Sequence, residues 1–179
     1  MALYFITGSK HKFKEMQDLM PELKQLNIAL PELQETDAEK IIAEKLKEAF
    51  LHHSGEFIVE DTSLYLDCLN GLPGPLIKWF LQKLGSFGLY KLTNKLDNSK
   101  ALAKTIIGYA KDKNNIHFFS GEIKGEIVSP KGDKSFGWND IFMPEGYNKT
   151  FAQMTLKEKN SISMRGLAVK KLKQFLQKN

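Results

Sequence analysis

Leu3-Tyr4-Phe5-Ile6-Thr7-Gly8-Ser9-Lys10-His11-Lys12 is the stretch that decides the class of this chain. A short apolar run rich in strand formers, ended by turn residues, predicts a buried strand over 3–6. Behind it Phe13, Met16, Leu19, Met20 and Leu23 recur at helical spacing, so the turn Thr7-Gly8-Ser9 sits at a helix N-terminus. The segment is thus strand, glycine turn and helix, and such a turn gathers backbone N–H groups where an anion can rest.

Working outward, Leu26 to Leu30 reads as a further strand, and Thr36-x-x-Glu39 as a capping box opening a helix through about Phe50. Ile41, Ile42, Leu46, Ala49 and Phe50 form its expected inner face. Phe57-Ile58-Val59 predicts a second buried strand that ends at three polar residues, Glu60-Asp61-Thr62, a position where α/β folds place their sites. Asn70 to Pro75 is a loop by composition, followed by a helix carrying Ile77, Phe80, Leu81 and Leu84 and a second one over about 88–96. Residues 102–109 and 117–128 have strand composition and predict a long hairpin, with Gly121 and Gly125 marking bends or bulges. A loop over 130–137 precedes a last helix over 163–176, with Leu167, Leu172, Phe175 and Leu176 inside and Lys170, Lys171, Lys173 and Lys178 outside. No internal repeat is visible at periods of 20–50 residues.

At 179 residues the chain is long enough for one domain with a real core, and 42% hydrophobic with 26% charged residues excludes a disordered chain. Cys68 is the one cysteine, which excludes an intramolecular disulfide and a thiolate zinc cage and fits a reducing, cytoplasmic setting. A net charge of +5 attracts phosphate, in a nucleotide or in a nucleic acid. No run approaches the ~20 apolar residues of a membrane span, so no membrane partner is expected.

Three constellations carry possible chemistry. In Thr7-Gly8-Ser9-Lys10-His11-Lys12 the turn offers amides to an anion and Lys12 adds charge one turn into the helix, without the spacing of a Walker loop. The plain alternative is a strand-to-helix turn with solvated lysines. Glu32, Glu60 and Asp61 are hard oxygen ligands of the kind magnesium takes, one or two at a time, together with substrate phosphate. Phe136-Gly137-Trp138-Asn139 places two rings in a polar loop, where they either sandwich a base or pack into the core. His52, His53 and His117 show no ligand or triad spacing.

Together these pieces resemble the inosine triphosphate pyrophosphatase family, whose members hydrolyse non-standard purine nucleoside triphosphates to monophosphate and pyrophosphate. The carriers are TGSKHK at 7–12, LPE at 30–32, VEDTSL at 59–64, NGLPGPLIKWF at 70–80, FGWN at 136–139 and EKNSISMRG at 158–166. The resemblance spans essentially the whole chain. It implies an α/β fold, a single domain over 1–179 with two lobes around a long mixed twisted β-sheet with flanking helices and a central cleft, a homodimer, and dependence on magnesium, with manganese as the alternative.

Carried over position by position, the resemblance has Thr7, Gly8, Ser9, Lys10, His11 and Lys12 holding phosphates. Glu32 and Asp61 bind the metal, and Lys45, Thr62, Lys78 and Lys159 contact the nucleotide. Phe136, Gly137, Trp138, Asn139, Met164 and Arg165 form the base pocket. Asp61 organises the attacking water, and Glu60 could equally share the proton transfer. Three positions depart from the family pattern: Ser9 replaces an asparagine, Asn139 an aspartate and Met164 a histidine. The last two lie in the base pocket, which leaves broadened base specificity as one alternative. The basic C-terminal helix supports another, a non-catalytic nucleotide- or nucleic-acid-binding relative, whereas a solvated outer face argues against nucleic acid.

Overall fold

The computed structural model describes residues 2–134 and 136–178; Ser135, inside the expected loop over 130–137, lies outside them, as do Met1 and Asn179. The expected opening unit forms as β1 (Leu3–Ile6) and α1 (Lys10–Leu19), with Ser9 as N-cap. Next come β2 (Lys24–Leu26) and α2 (Ala38–His52). Here the structure corrects two readings. The strand lies before rather than over 26–30, and the helix is capped by Asp37, whose side chain accepts from the Glu39 N–H, while Thr36 donates to Glu35. Asp and Thr are both good caps, and one residue of register decided which was used.

The decisive departure is β3 (Glu56–Leu66), eleven residues long. Glu60, Asp61 and Thr62 lie at its centre, not at its end. The strand continues because β5 (Lys100–Asp112) pairs with it residue for residue, Asp61 opposite Ile106 and Thr62 opposite Thr105. Between these strands lie β4 (Pro73–Gly74), inside the expected loop, and α3 (Ile77–Lys95), broken at Gly85. β6 (Asn115–Ile127) completes the long hairpin and β7 (Phe142–Pro144) adds an edge. α4 (Leu156–Ile162), which hydrophobic periodicity did not announce, carries a Thr155/Glu158 capping box and leads into α5 (Met164–Leu176).

Among the described residues these strands make one seven-stranded mixed sheet in the order β2-β1-β3-β5-β6-β7, with β4 beside β3. β1 runs parallel to both its neighbours and the other pairs are antiparallel. Because side chains alternate along a strand, β3 buries Phe57 and Val59 against α2 on one face and Ile58 against α1 and α5 on the other. Farther along, Leu64 and Leu66 join Trp138, Phe142, Phe151 and Met164 in a third cluster, the core of the second lobe. The polar centre of β3 falls where these cores meet.

Gly121 does not make a bulge; the hairpin's irregularity is at Ala110–Asp112. A Cβ at Gly121 would stand 2.0 Å from the Met164 carbonyl oxygen and 2.7 Å from the Ala168 nitrogen, so the glycine lets α5 lie directly on β6. Gly125 serves β7 in the same way, with the Met143 carbonyl oxygen at 2.4 Å. On α5 itself Ala168 and Val169 are buried and Leu167 is not, so the inner face is turned from the expected one. Two of its lysines are occupied locally, Lys171 donating to the Ser120 carbonyl and Lys173 to that of Leu19. Gly121→Ala is expected to cost at least about 1–3 kcal/mol, as overpacking does. In thermal melts that is a fall of roughly 2–4 °C per kcal/mol for a chain of this size; an unchanged melting temperature would mean that α5 does not press on β6.

Candidate active site

The turn after β1 is shaped by its own side chains. The Ser9 N–H donates to Thr7 Oγ1 at 3.1 Å, and the Lys12 N–H to Ser9 Oγ at 3.3 Å. Gln25 closes the turn from β2 by donating to the Thr7 carbonyl at 2.8 Å. The hydroxyls of Thr7 and Ser9 thus hold the backbone, and the remaining amides at the start of α1 form the anion-facing surface. No acidic side chain stands in the first turn of α1 to compete for that place.

Lys12 reaches from α1 to Glu60 at 3.2 Å. Glu60 also receives both arms of Arg165, Nε to Oε2 at 2.8 Å and Nη2 to Oε1 at 2.7 Å. The third arm of Arg165 meets Glu15, which Lys159 contacts at 2.6 Å. Burial pushes the Glu60 carboxyl up, but Arg165 and Lys12 more than reverse this and bring it down to about 2. For Arg165 the two carboxylates outweigh burial and hold the proton more firmly. Lys159 goes the other way, because burial lowers its ammonium and Glu15 restores only part.

Asp61, the next residue along β3, faces the opposite side and receives no such pairing. Burial pushes its carboxyl up; the Ser63 hydroxyl, donating at 2.7 Å, and the fields of Lys12 and Lys45 offset only part of that. Thr62 bonds Thr105 across the ladder at 3.0 Å. From the loop after β2, Glu32 is clasped by Lys45 of α2 at 2.6 Å and by Lys78 of α3 at 3.3 Å; these lysines outweigh burial and lower its carboxyl.

A cavity of about 350 Å³ opens between the lobes, and Glu32, Asp61, Thr62, Phe136, Gly137, Trp138, Asn139, Lys159, Met164 and Arg165 are among the residues that line it. It adjoins a depression lined by Thr7, Gly8, Ser9, Lys45 and Glu60, and Lys12, Glu32 and Lys78 border both. Four lysines scattered in sequence therefore converge on one cleft. Lys10 and His11 line neither hollow; Lys10 is exposed and the His11 ring stacks on Phe136 at 5.0 Å.

Of the two arrangements open to Phe136 and Trp138, Trp138 takes the core: it is 5% exposed and packs against Phe142 and Phe151, while still bordering the cavity. Met164 is buried in the same cluster. Arg165 borders the cavity, but its bonds to Glu60, Glu15 and Thr62 use four of the five guanidinium N–H groups. The sequence reading passed over Glu15, an acid on the apolar face of α1 and so out of place there. It also passed over Gln34 and Trp79, cavity-lining residues whose side chains bond each other.

The family pattern described as the Ham1 family matches residues 3–175. The chain belongs to the Ham1 family. Among its relatives, the inosine triphosphate pyrophosphatase of Schizosaccharomyces pombe is 41% identical over 98% of this chain and 95% of its own length. That of Kluyveromyces lactis is 38% identical over 97% and 95%. The solved Ham1 proteins of Coxiella burnetii (TM-score 0.84, 23% identity, all of both chains) and Staphylococcus aureus (0.81, 24%, 98% of each) share the fold.

In this Ham1 chain the depressed Glu60 carboxyl sets a pH dependence. Its stabilisation is fully present above the ordinary value near 4.5 and is lost as pH falls toward about 2. Glu60→Gln is expected to lower stability at pH 7 by about 3–5 kcal/mol, the cost of breaking a buried pair, and to flatten the acid limb between pH 4.5 and 2. Urea unfolding at stepped pH measures both, and an acid limb as steep as that of the unaltered protein would remove Glu60 from the network.

Proposed function

We propose that this chain hydrolyses non-standard purine nucleoside triphosphates, ITP, dITP and XTP, to the monophosphate and pyrophosphate, and so clears them from the nucleotide pool. The observation that carries the reading is Asp61: a desolvated carboxylate, without an ion pair among the described residues, facing a cleft where four lysines converge. The curated relatives that bear the name of this activity span nearly the whole chain.

In this reading Lys12, Lys45 and Lys78 and the amides of the turn hold the triphosphate, and the base lies toward Phe136, Gly137, Asn139 and Lys159. Water attacks the α-phosphorus, the α–β anhydride bond breaks with pyrophosphate leaving, and Asp61 takes the proton from the water. Asp61 suits that task better than Glu60, since a raised carboxyl holds a proton and one clamped by Arg165 and Lys12 does not. Arg165 acts mainly by holding Glu60 and Glu15, with one N–H to spare for the nucleotide.

Glu32 and Asp61 fit magnesium, or manganese, by the chemistry of the donor set: two hard carboxylates on one cavity, with room for phosphate oxygens and water. No group of three or more potential ligands occurs among the described residues, so phosphate oxygens and water would have to complete the ion's shell. When bound, the ion supplies positive charge and Lewis acidity beside the phosphates. A cytoplasmic setting and a homodimer belong to the same proposal; no helix among the described residues is long and apolar enough to cross a membrane.

Purified protein incubated with magnesium and ITP, XTP, GTP or ATP should release pyrophosphate rather than orthophosphate, and a chelator should abolish turnover. Asp61→Asn should lower kcat by about 10²-fold or more, as for a group that positions the nucleophile. Bound nucleotide that is never cleaved would instead identify a binding protein, and near-normal turnover in Asp61→Asn would remove Asp61 from the chemistry.

A further inference from the structure

Two walls of the cavity meet at a side-chain contact that lies outside its lining. One wall is the first half of α3, which contributes Lys78, Trp79, Leu81 and Gln82; the other is the loop with Phe136 to Asn139. α3 breaks between its halves at Gly85, where φ is 67° and ψ 173°, a conformation that a side chain would strain. Three residues on, the missing Cβ of Gly88 leaves room for Leu84, which would otherwise stand 2.9 Å from it, so the halves fold closely together. Leu89 and Thr93 bury the second half.

Ser86, the first residue beyond the break, donates its hydroxyl to Asp140 Oδ2 at 2.8 Å. Asp140 is 2% exposed and directly follows Asn139. Within its own lobe the loop is tied by Asn139 N–H to the Phe136 carbonyl, Ile141 N–H to that of Trp138, Lys131 N–H to that of Asp140 and Ala152 N–H to that of Asn139, and its Phe136 ring stacks on His11 of α1. These set the shape of the loop. The Ser86–Asp140 bond sets its distance from the α3 break, and with it the gap between Phe136–Asn139 and the Trp79–Gln82 wall.

We infer that Ser86 and Asp140 are a positioning pair that fixes the width of the base-binding end of the cleft and thereby the discrimination among bases. The inference rests on the pyrophosphatase reading above. A buried carboxylate–hydroxyl bond is short and directional, and removing the donor leaves the acceptor to seek another arrangement. Displacement of a binding wall by about an ångström is enough to weaken recognition. The phosphate end hangs mainly on other elements, Lys12 on α1, Lys45 on α2 and Asp61 on β3, while Lys78 of α3 lies on the other side of the Gly85 break from Ser86 and is held by Glu32 at 3.3 Å, so the effect should fall mainly on the base.

The test compares Ser86→Ala, Ser86→Thr and Asp140→Asn with the unaltered protein, reading kcat and KM for ITP and GTP and the inhibition constant of tripolyphosphate, which has phosphates and no base. Ser86→Ala is expected to raise KM for ITP about fivefold to tenfold and to shrink the ITP-to-GTP ratio of kcat/KM. Its kcat and tripolyphosphate inhibition should stay within twofold, and Ser86→Thr, which keeps the hydroxyl, should restore the ratio. Asp140→Asn, which keeps the side-chain size, should give an intermediate loss and guards against a folding defect in either alanine or threonine variant. An unchanged ITP-to-GTP ratio in Ser86→Ala, or equal weakening of ITP and tripolyphosphate, overturns the inference. Should the unaltered protein release no pyrophosphate, the functional reading fails instead, and calorimetric binding of ITP and tripolyphosphate to the same variants decides the positioning role separately.

Discussion

A guanidinium with 1% of its surface exposed must find its anions inside the protein, and Arg165 finds Glu60 and Glu15. Desolvating these charges is costly, and the cost is offset only when geometry and partners are nearly complete. That requirement fixes several elements at once. Glu60 lies 105 residues before Arg165 and Glu15 lies 150 before it, so the contact joins the last helix to the middle strand and the first helix. Lys159 ties α4 to the same Glu15, and Asn160 beside it reaches Asp18. Hydrophobic burial brings these elements together without choosing a register; the ion cluster accepts one.

The same cluster separates the behaviour of two adjacent acids. Alternation along β3 sends Glu60 to the Arg165 side and Asp61 to the cleft, so neighbours in sequence occupy opposite electrostatic surroundings. Cations surround Glu60, whereas Asp61 has a serine hydroxyl and more distant lysines. A one-residue slip of β3 against β5 would exchange the two roles. The ten-residue ladder that pairs these strands therefore protects this electrostatic separation as well as stability.

How much of this was legible in the sequence follows the range of the interactions. β1, α1, α2, the β5–β6 hairpin and α5 announce themselves because their periodicity records burial within one element. β3 was cut short because an acid pair looks like a strand's end until its partners, Arg165 and Thr105, are known. Glu15 was missed for the same reason, its two cations being 144 and 150 residues away. Two rings spaced two apart in a polar loop leave base stacking and core packing both open, and the glycine between them at φ 60° decides it, sending one ring into the core and the other toward His11. Most residues that the resemblance singles out, though not Lys10 or His11, line the two adjoining hollows, since a resemblance carries long-range information that composition and spacing lack.

Charge at the cleft is nearly balanced before any ligand arrives. Lys12, Lys45, Lys78, Lys159 and Arg165 face Glu15, Glu32, Glu60 and Asp61, five cations against four carboxylates, of which Asp61 is the one whose charge burial disfavours. A site of bare lysines would repel itself and weaken the fold; here each cation rests on a carboxylate, and the fold tolerates the concentration of charge. The consequence is that the protein alone offers a triphosphate, with about four negative charges, little net attraction. Under the proposed function, binding comes from exchange, with phosphate oxygens taking over Lys45 and Lys78 from the half-exposed Glu32 while the buried pairs around Arg165 stay intact. In that reading Glu32 keeps the place of substrate, Glu15 and Glu60 hold the structure, and Asp61 is left for chemistry. A carboxylate released from its lysines beside a polyanion would then need a cation of its own, a place that a hard divalent ion would fill.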